Sequence, residues 1–425
     1  MTDGTASSHL YRPKLLTTLR EGYHFDDFRS DVLAAVTVAI VALPLSMAIA
    51  VASGVSPERG LYTAIIGGAL VSIFGGSRFQ IGGPAGAFIV LVASTVNQFD
   101  VAGLLLTVML SGVLLTALGV FRIGSLIRHI PHAVTVGFTC GIAVVIFASQ
   151  IKDLAGLTLI SEPGPLIPKA AALWHAAPSA SLSALVVGLG TATVIFTLKR
   201  FCPHWPGMLI AVVLASAVVT GLHLPVETIS DRFGELPRKI PTPVLPIMSL
   251  SLIWAVIPAA LSFTLLGGVE SLLSAKVADT MTGRKHRSNM ELVAQGVANI
   301  GSAIFGGISV TGTIARTATN IRAGARSPFA GIMHAGFLLL FLAVAAPLAG
   351  YVPLAALAGL LLVVCWNMAE KREFMRLIRK WRDALVLVAT FGLTLLQDLT
   401  VGIIAGCIVA AILAFLKRPV SEEGD

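Results

Sequence analysis

From residue 32 to residue 416 the chain alternates long apolar stretches with short polar or glycine-marked breaks. A helix needs about 20 predominantly apolar residues to cross a bilayer. On that measure the pattern predicts membrane segments over 32–52, 61–74, 84–96, 101–120, 133–151, 182–198 and 206–222. A polar interval with five prolines follows, and a second series then runs over 252–275, 292–305, 312–323, 329–346, 354–366, 385–396 and 401–416. Pro44 falls near the middle of the first segment, a position expected to bend or interrupt a helix. Ahead of it, Leu15, Leu16 and Leu19 recur at helical spacing beside Arg12, Lys14 and Arg20. This suits an amphipathic helix on the cytoplasmic membrane surface.

Two stretches share an unusual beginning. Residues 72–87 read SIFGGSRFQIGGPAGA and residues 303–320 read AIFGGISVTGTIARTATN, each opening a break with Ile-Phe-Gly-Gly. Glycine lacks a side chain and proline lacks an amide proton, so both stretches read as extended links into a new short helix. The copies close segments 2 and 9. They stand seven segments apart, and an odd separation inverts the second copy. The expected architecture is an all-α membrane protein of 14 transmembrane segments in two inverted seven-span repeats, with short broken segments 3 and 10, the pattern of secondary transporters. A chance recurrence of a turn motif is the alternative. The organisation is then a cytoplasmic amphipathic segment (1–30), a first repeat (31–222), a linker on the outer side (223–250), a second repeat (251–417) and a short cytoplasmic tail (418–425).

Composition agrees and removes other classes. Of 425 residues 56% are hydrophobic and only 12% charged, with mean hydropathy +0.87, which leaves too little polar surface for a soluble domain. The first 30 residues hold no apolar core with a small-residue cleavage site, so no removable signal peptide is expected. Net charge is +8, and the positions of the 30 Lys and Arg explain it without a nucleic-acid partner. Most, including Arg128, Lys417 and Arg418, follow even-numbered segments or flank the termini. Only Arg59, Lys152, Lys169, Arg232, Arg238 and Lys239 fall on the other side. Positive loops face the cytoplasm, which places both termini there in the cell (plasma or inner) membrane. The four cysteines show no CxxC spacing, so neither a metal site nor a disulfide framework is expected. No phosphate-cradling loop, HExxH or nucleophile elbow occurs, so the chain reads as no enzyme, with no catalytic residues and no cofactor.

The candidate chemistry lies at the two broken segments. A helix starting at mid-membrane leaves orphan N–H groups and a dipole end of roughly +0.5 charge, a site for an anion. Gly83, Pro84, Ala85 and Gly86 facing Gly312, Thr313, Ile314 and Ala315 would converge on one cavity. Tight helix packing is the plainer use of such small residues. Arg316, alone among the cations inside a membrane segment, favours an anionic ligand, although it could instead snorkel to the surface. Glu270, the carboxylate placed well inside a segment, could carry a proton or help bind sodium, or could simply form an ion pair with Arg316. His334 is read as a hydrogen-bonded core residue.

These stretches resemble the sulfate permease (SulP) family of anion transporters and exchangers over essentially the whole membrane length. The resemblance rests on DVLAAVTVAIVALPLSMAIAVASGVSPERGLYTA, on Glu270, Gly283, Asn289, Glu291, Gln295, Gly296 and Asn299 within ESLLSAKVADTMTGRKHRSNMELVAQGVANIGSAIFGG, and on TGTIARTATNIRAGARS. It implies a core domain (segments 1–4 and 8–11) moving against a gate domain (5–7 and 12–14) by elevator-like alternating access. Carried over, the anion would lie between Pro84, Ala85, Gly86 and Ala87 on one side and Thr313, Ile314, Ala315 and Arg316 on the other. Glu270 matches a position associated with coupling, and Ser274 a neighbouring one implicated in sodium-dependent relatives. Where many relatives carry Gln and an aromatic after the first-segment proline, this chain has Leu45 and Ile49, so Ile49 joins the candidate binding residues without fixing an anion. Members usually end in a STAS domain, whereas this chain stops nine residues after Leu416.

The expected function is secondary active transport of a small carboxylate or dicarboxylate, bicarbonate or sulfate, coupled to protons as a symport. The alternatives are a passive anion channel, a sodium-coupled symporter or a nucleobase transporter of the same fold. The expected partners are the anion, a coupling ion, the lipid bilayer and a second copy in a homodimer.

Overall fold

The computed structural model describes residues 11–124, 131–159, 163, 166–397 and 399–415. Residues 1–10, Arg128, Lys417, Arg418 and the 418–425 tail lie outside the described residues. Hydropathy dictates helices, and among the described residues seven are long and apolar enough to cross a membrane: Phe25–Ala52, Gly86–Val120, His132–Ala155, Leu182–Phe201, Leu250–Thr282, Phe329–Ala349 and Leu354–Leu377. Gly86–Val120 is two segments, divided at Asp100 by a left-handed residue (φ 57°, ψ −176°). Shorter helices complete the fourteen: segment 2 in three consecutive pieces (Pro57–Tyr62, Thr63–Gly67, Gly68–Phe74), segment 7 (Gly207–Gly221), segment 9 (Ser288–Ile304), segment 10 (Ile314–Arg322), segment 13 (Trp381–Leu396) and segment 14 (Leu399–Phe415). Segment 12 proper ends at Met368, and Lys371–Leu377 is a separate short helix.

Segment 1 overturns one half of an expectation, the interruption at Pro44. It is a single helix through Pro44, without interruption. The amide that proline lacks frees one backbone acceptor, a cost that neighbouring helices and hydroxyls can absorb in a packed bundle. Ser46 Oγ, one half-turn on, donates to the Ala42 carbonyl at 2.7 Å.

The inversion is visible in reciprocal contacts. The first Gly-Gly break sits at the start of segment 9, where Arg287 N donates to Gly76 O at 3.0 Å. The second sits at the start of segment 2. There Arg59 Nη1 donates to Gly306 O at 2.7 Å and Ile308 N to Thr63 Oγ1 at 2.7 Å. Each repeat thus closes the other's break, at opposite ends of the bundle. Glu291 ties the first break down. Its Oε2 accepts from Gly76 N (2.9 Å) and Ser77 N (3.0 Å), and its Oε1 from Gln80 Nε2 (2.9 Å) and Gln295 Nε2 (3.0 Å).

Segments 3 and 4 pack mainly on 8 and 9, and segment 1 on 10 and 11, forming the core domain. Segments 5, 6 and 7 pack with 12, 13 and 14 as the gate domain, which meets the core chiefly where 7 and 12 touch segment 1. The N-terminal helix Lys14–Glu21 leans on the core: Lys14 N donates to Gly75 O at 2.9 Å, and Arg287 donates to Arg12 O and, at 3.0 Å, to Thr17 Oγ1. Its Glu21 pairs with Arg78, whose hydrogen bond holds that carboxyl below its usual range. Leu16 and Leu19 stay exposed on the free side, as a surface-lying helix requires. At the opposite end, the proline-rich linker is more ordered than a loop. It contains the helix Ile229–Phe233 and pins itself to the start of segment 12 through Ile229 N to Val352 O (2.9 Å) and Leu354 N to Glu227 O (2.9 Å).

Candidate functional site

The two glycine-marked links are extended, as their composition predicts, and they find each other. β1 (Gly82–Gly83) pairs antiparallel with β2 (Thr311–Gly312), in the register Gly82 to Gly312 and Gly83 to Thr311. Isolated two-residue strands would not persist, so side chains must hold the crossing. Thr313 N donates to Ile81 O (3.1 Å), Ile81 N to Thr317 Oγ1 (3.2 Å) and Gly312 N to Ser271 Oγ (3.2 Å). Ser271 also meets Thr311 Oγ1 at 2.8 Å.

Pairing consumes the residues expected to begin the helices, so both start two residues later than the sequence suggests. Segment 3 opens with a 3₁₀ turn at Gly86–Phe88, leaving Pro84 and Ala85 in the link. Segment 10 opens at Ile314 with Thr313 as its N-cap, and Gly312 belongs to the strand. Thr313 Oγ1 makes no capping bond and is buried without a hydrogen-bond partner. Pro84, Ala85 and Ala87 are buried, while Ile314 and Ala315 are exposed.

Arg316 reaches across the crossing. It is 1% exposed, and its Nη2 donates to Ser46 Oγ (3.1 Å) on segment 1 and to Pro84 O (3.3 Å) at the entry to segment 3. The guanidinium therefore neither snorkels to the surface nor pairs with Glu270. Its Nε and Nη1 have no hydrogen-bond partner among the described residues, and neither does Glu270 Oε2. Gly83 leaves the space for it. A Cβ at that position would lie 2.0 Å from Arg316 Nη1, just as a Cβ at Gly312 would lie 1.7 Å from Gln80 Nε2. Overpacking costs about 1–3 kcal/mol, and about 1.4 kcal/mol is tenfold in an equilibrium. Gly83→Ala should therefore displace the Arg316 guanidinium, lowering anion uptake about tenfold and folding stability by a similar free energy, and wild-type uptake kinetics would contradict it.

The remaining expected residues fall nearby in different roles. Ser274 Oγ donates to Thr317 Oγ1 at 3.2 Å, so it braces segment 10. Ile49 is 2% exposed within the same apolar cluster as Ile89. Two contributors escape sequence reasoning. Ser46 meets Arg316 and Gln80 meets Glu291 across long stretches of chain, and no local pattern marks them. His334 is fully buried with neither ring nitrogen partnered, rather than a hydrogen-bonded core histidine.

An uncompensated buried guanidinium beside two helix starts is costly in an apolar interior and is relieved by an anion. Known proteins point the same way. The family model described as the sulfate permease family matches residues 28–390. YvdB of Bacillus subtilis (strain 168) is 42% identical over 405 residues, spanning 95% of this chain and 76% of that protein. The bicarbonate transporter BicA of Picosynechococcus sp. is 30% identical over 405 residues, spanning 92% of this chain and 70% of its own length. The solved transmembrane domain of a cyanobacterial BicA superposes with a TM-score of 0.78 at 28% identity, over 91% of this chain and 98% of that one.

Proposed function

We propose, because this chain belongs to the sulfate permease family and carries anions across a membrane, that it does so as a secondary active transporter of one small anion by alternating access. Bicarbonate, sulfate and small carboxylates fit the site chemistry. The observation that carries the reading is the guanidinium of Arg316, buried at the junction of β1, β2 and the two half-helices with Nε and Nη1 free. The anion lies between Pro84, Ala85, Gly86 and Ala87 and residues 312–316, and the core domain carries it past the gate domain. Membership of a named family sets the class of cargo; these groups set where it binds.

Coupling falls to Glu270. Its carboxyl lies in segment 8 beside the crossing, with Oε2 buried and unpartnered. A carboxyl so placed can take a proton on one side of the membrane and release it on the other. Sodium is the alternative coupling ion, with Ser274 near its path. The charge distribution favours the cell membrane with both termini cytoplasmic, and a homodimer is the expected assembly.

The test is uptake of labelled bicarbonate, sulfate and succinate into proteoliposomes holding the full chain, with pH and sodium gradients imposed independently. One proton per monovalent anion predicts about tenfold accumulation for one unit of pH, acidic on the uptake side. Glu270→Gln should lose this accumulation and keep downhill flux. Transport of none of these anions would sink the reading, and wild-type pH-driven accumulation in Glu270→Gln would remove the coupling role.

A further inference from the structure

The short helix Lys371–Leu377 joins segments 12 and 13 at the end of the bundle where segment 5 begins, and its two faces differ in kind. Leu377 is buried, and Phe374 packs edge-on against Phe391 of segment 13 with ring centroids 5.4 Å apart. These two residues, at i, i+3 spacing, fix the helix to the gate domain. The outward face is cationic. Lys371, Arg372, Met375, Arg376 and Arg379, all exposed, line a pocket of about 440 Å³, and no carboxylate among the described residues lines it. Glu373 lies outside the pocket. Its Oε1 is 3.3 Å from Arg376 Nη1 and 3.2 Å from His132 Nε2, so it offsets one of the four cations and ties the helix to segment 5. Arg372 and Arg379 form no ion pair among the described residues.

Two tryptophans set the depth of this pocket. Trp366, near the end of segment 12, and Trp381, at the start of segment 13, are 61% and 63% exposed and bracket the helix. Such rings gather at the membrane–water boundary, where one edge is apolar and the other wet. Lys371 Nζ stands 2.9 Å from the Trp366 ring centroid and Arg382 Cζ 5.2 Å from that of Trp381, so each ring holds a cation over its face. The pocket therefore lies at headgroup level, with exposed Met375 and Ile378 adding apolar surface. A helix that merely floats in the interface turns its apolar face to the lipid. Here Phe374 and Leu377 are spent on the gate domain, and the cations are turned out. A general surplus of cations on one side of a membrane would not place four of them around one pocket.

We propose that this pocket binds the phosphate headgroup of an anionic phospholipid in the adjoining leaflet, with the acyl chains against Trp366 and Met375. Guanidinium forks match phosphate oxygens, and Arg372 and Arg379 bring charge that no internal carboxylate neutralises. The bound lipid ties the gate domain to the interface. This binding is independent of which anion the protein carries. Each Lys or Arg close to an anionic membrane surface adds about fivefold in affinity, an effect that fades beyond a Debye length.

The test uses the full chain in detergent, titrated with dioleoyl phosphatidylglycerol in mixed micelles. The midpoint of thermal unfolding and the lipid retained in native mass spectra are both followed. A ligand that binds the folded state raises the midpoint, so phosphatidylglycerol should raise it by several degrees and phosphatidylcholine should not. Arg372→Gln/Arg379→Gln should need about twentyfold more phosphatidylglycerol for the same rise, two cations at about fivefold each. Both positions are exposed, so the variant should fold as wild type. Arg238→Gln/Lys239→Gln removes the same charge from the linker and should bind as wild type. Glycerol phosphate, which carries the headgroup charge without acyl chains, should not displace the lipid. Equal stabilisation by the two lipids, wild-type binding by Arg372→Gln/Arg379→Gln, an equal loss in the linker variant, or displacement by equimolar glycerol phosphate overturns the site.

Discussion

Arg316→Gln should cut anion uptake in proteoliposomes by about a hundredfold. Truncating one partner of a desolvated charge pair costs about 2–5 kcal/mol, and about 2.7 kcal/mol corresponds to that factor. The side chain bridges Ser46 Oγ and Pro84 O across three elements, with Nε and Nη1 unpartnered among the described residues. Glutamine keeps a donor but removes the charge. Arg316→Lys keeps the charge and loses the planar fork, so an intermediate loss of about tenfold is expected. Neither change should unfold the protein, because an unpartnered buried guanidinium costs stability rather than supplying it. Monodisperse Arg316→Gln protein with near wild-type uptake would remove Arg316 from the anion site.

Glu291→Ala should have the largest effect on stability. Its two oxygens take hydrogen bonds from Gly76, Ser77, Gln80 and Gln295 in a site with no solvent exposure. Removing the carboxyl takes an acceptor from four donors at once, of which Gln80 Nε2 keeps Ser271 O (3.3 Å). An unsatisfied buried group costs about 1–3 kcal/mol, so a loss of at least about 3 kcal/mol is expected. The effect should appear as a lower midpoint in thermal unfolding of the detergent-solubilised protein and as a poor yield. Glu291→Gln keeps the shape but points an amide at N–H donors, so it should fall between. An Ala variant as stable as wild type would show that the first break is held by packing alone. Because Gln80 also abuts Gly312, a milder variant at position 291 should disturb the crossing and lower uptake as well.

The segments were legible because each depends on its own residues. Twenty apolar positions between polar ends cross a bilayer whatever surrounds them, and the Lys and Arg map follows from local loop composition. The breaks at Gly75–Gly76 and Gly306–Gly307 were legible for the same reason. The departures share one cause, competition from partners distant in the chain. Pro84 and Gly312 looked like helix starts until each link had a second link to pair with, which moved both starts to Gly86 and Ile314. Pro44 looked like a bend or a break, and the packed bundle keeps the helix unbroken.

The sequence by itself determined a membrane bundle with inverted halves, placed the two breaks, and marked Arg316 as the charge that needs an explanation. Hydropathy period, glycine chemistry and loop charge act over a few residues, so one chain suffices to read them. The tertiary structure alone decided that the breaks cross as a two-stranded sheet and that Arg316 turns to Ser46 and Pro84 instead of Glu270. Each of these joins residues remote in the chain, and burial in a medium of low dielectric makes partner choice costly to get wrong. Which partner wins is settled by packing geometry, of which no local pattern carries a trace.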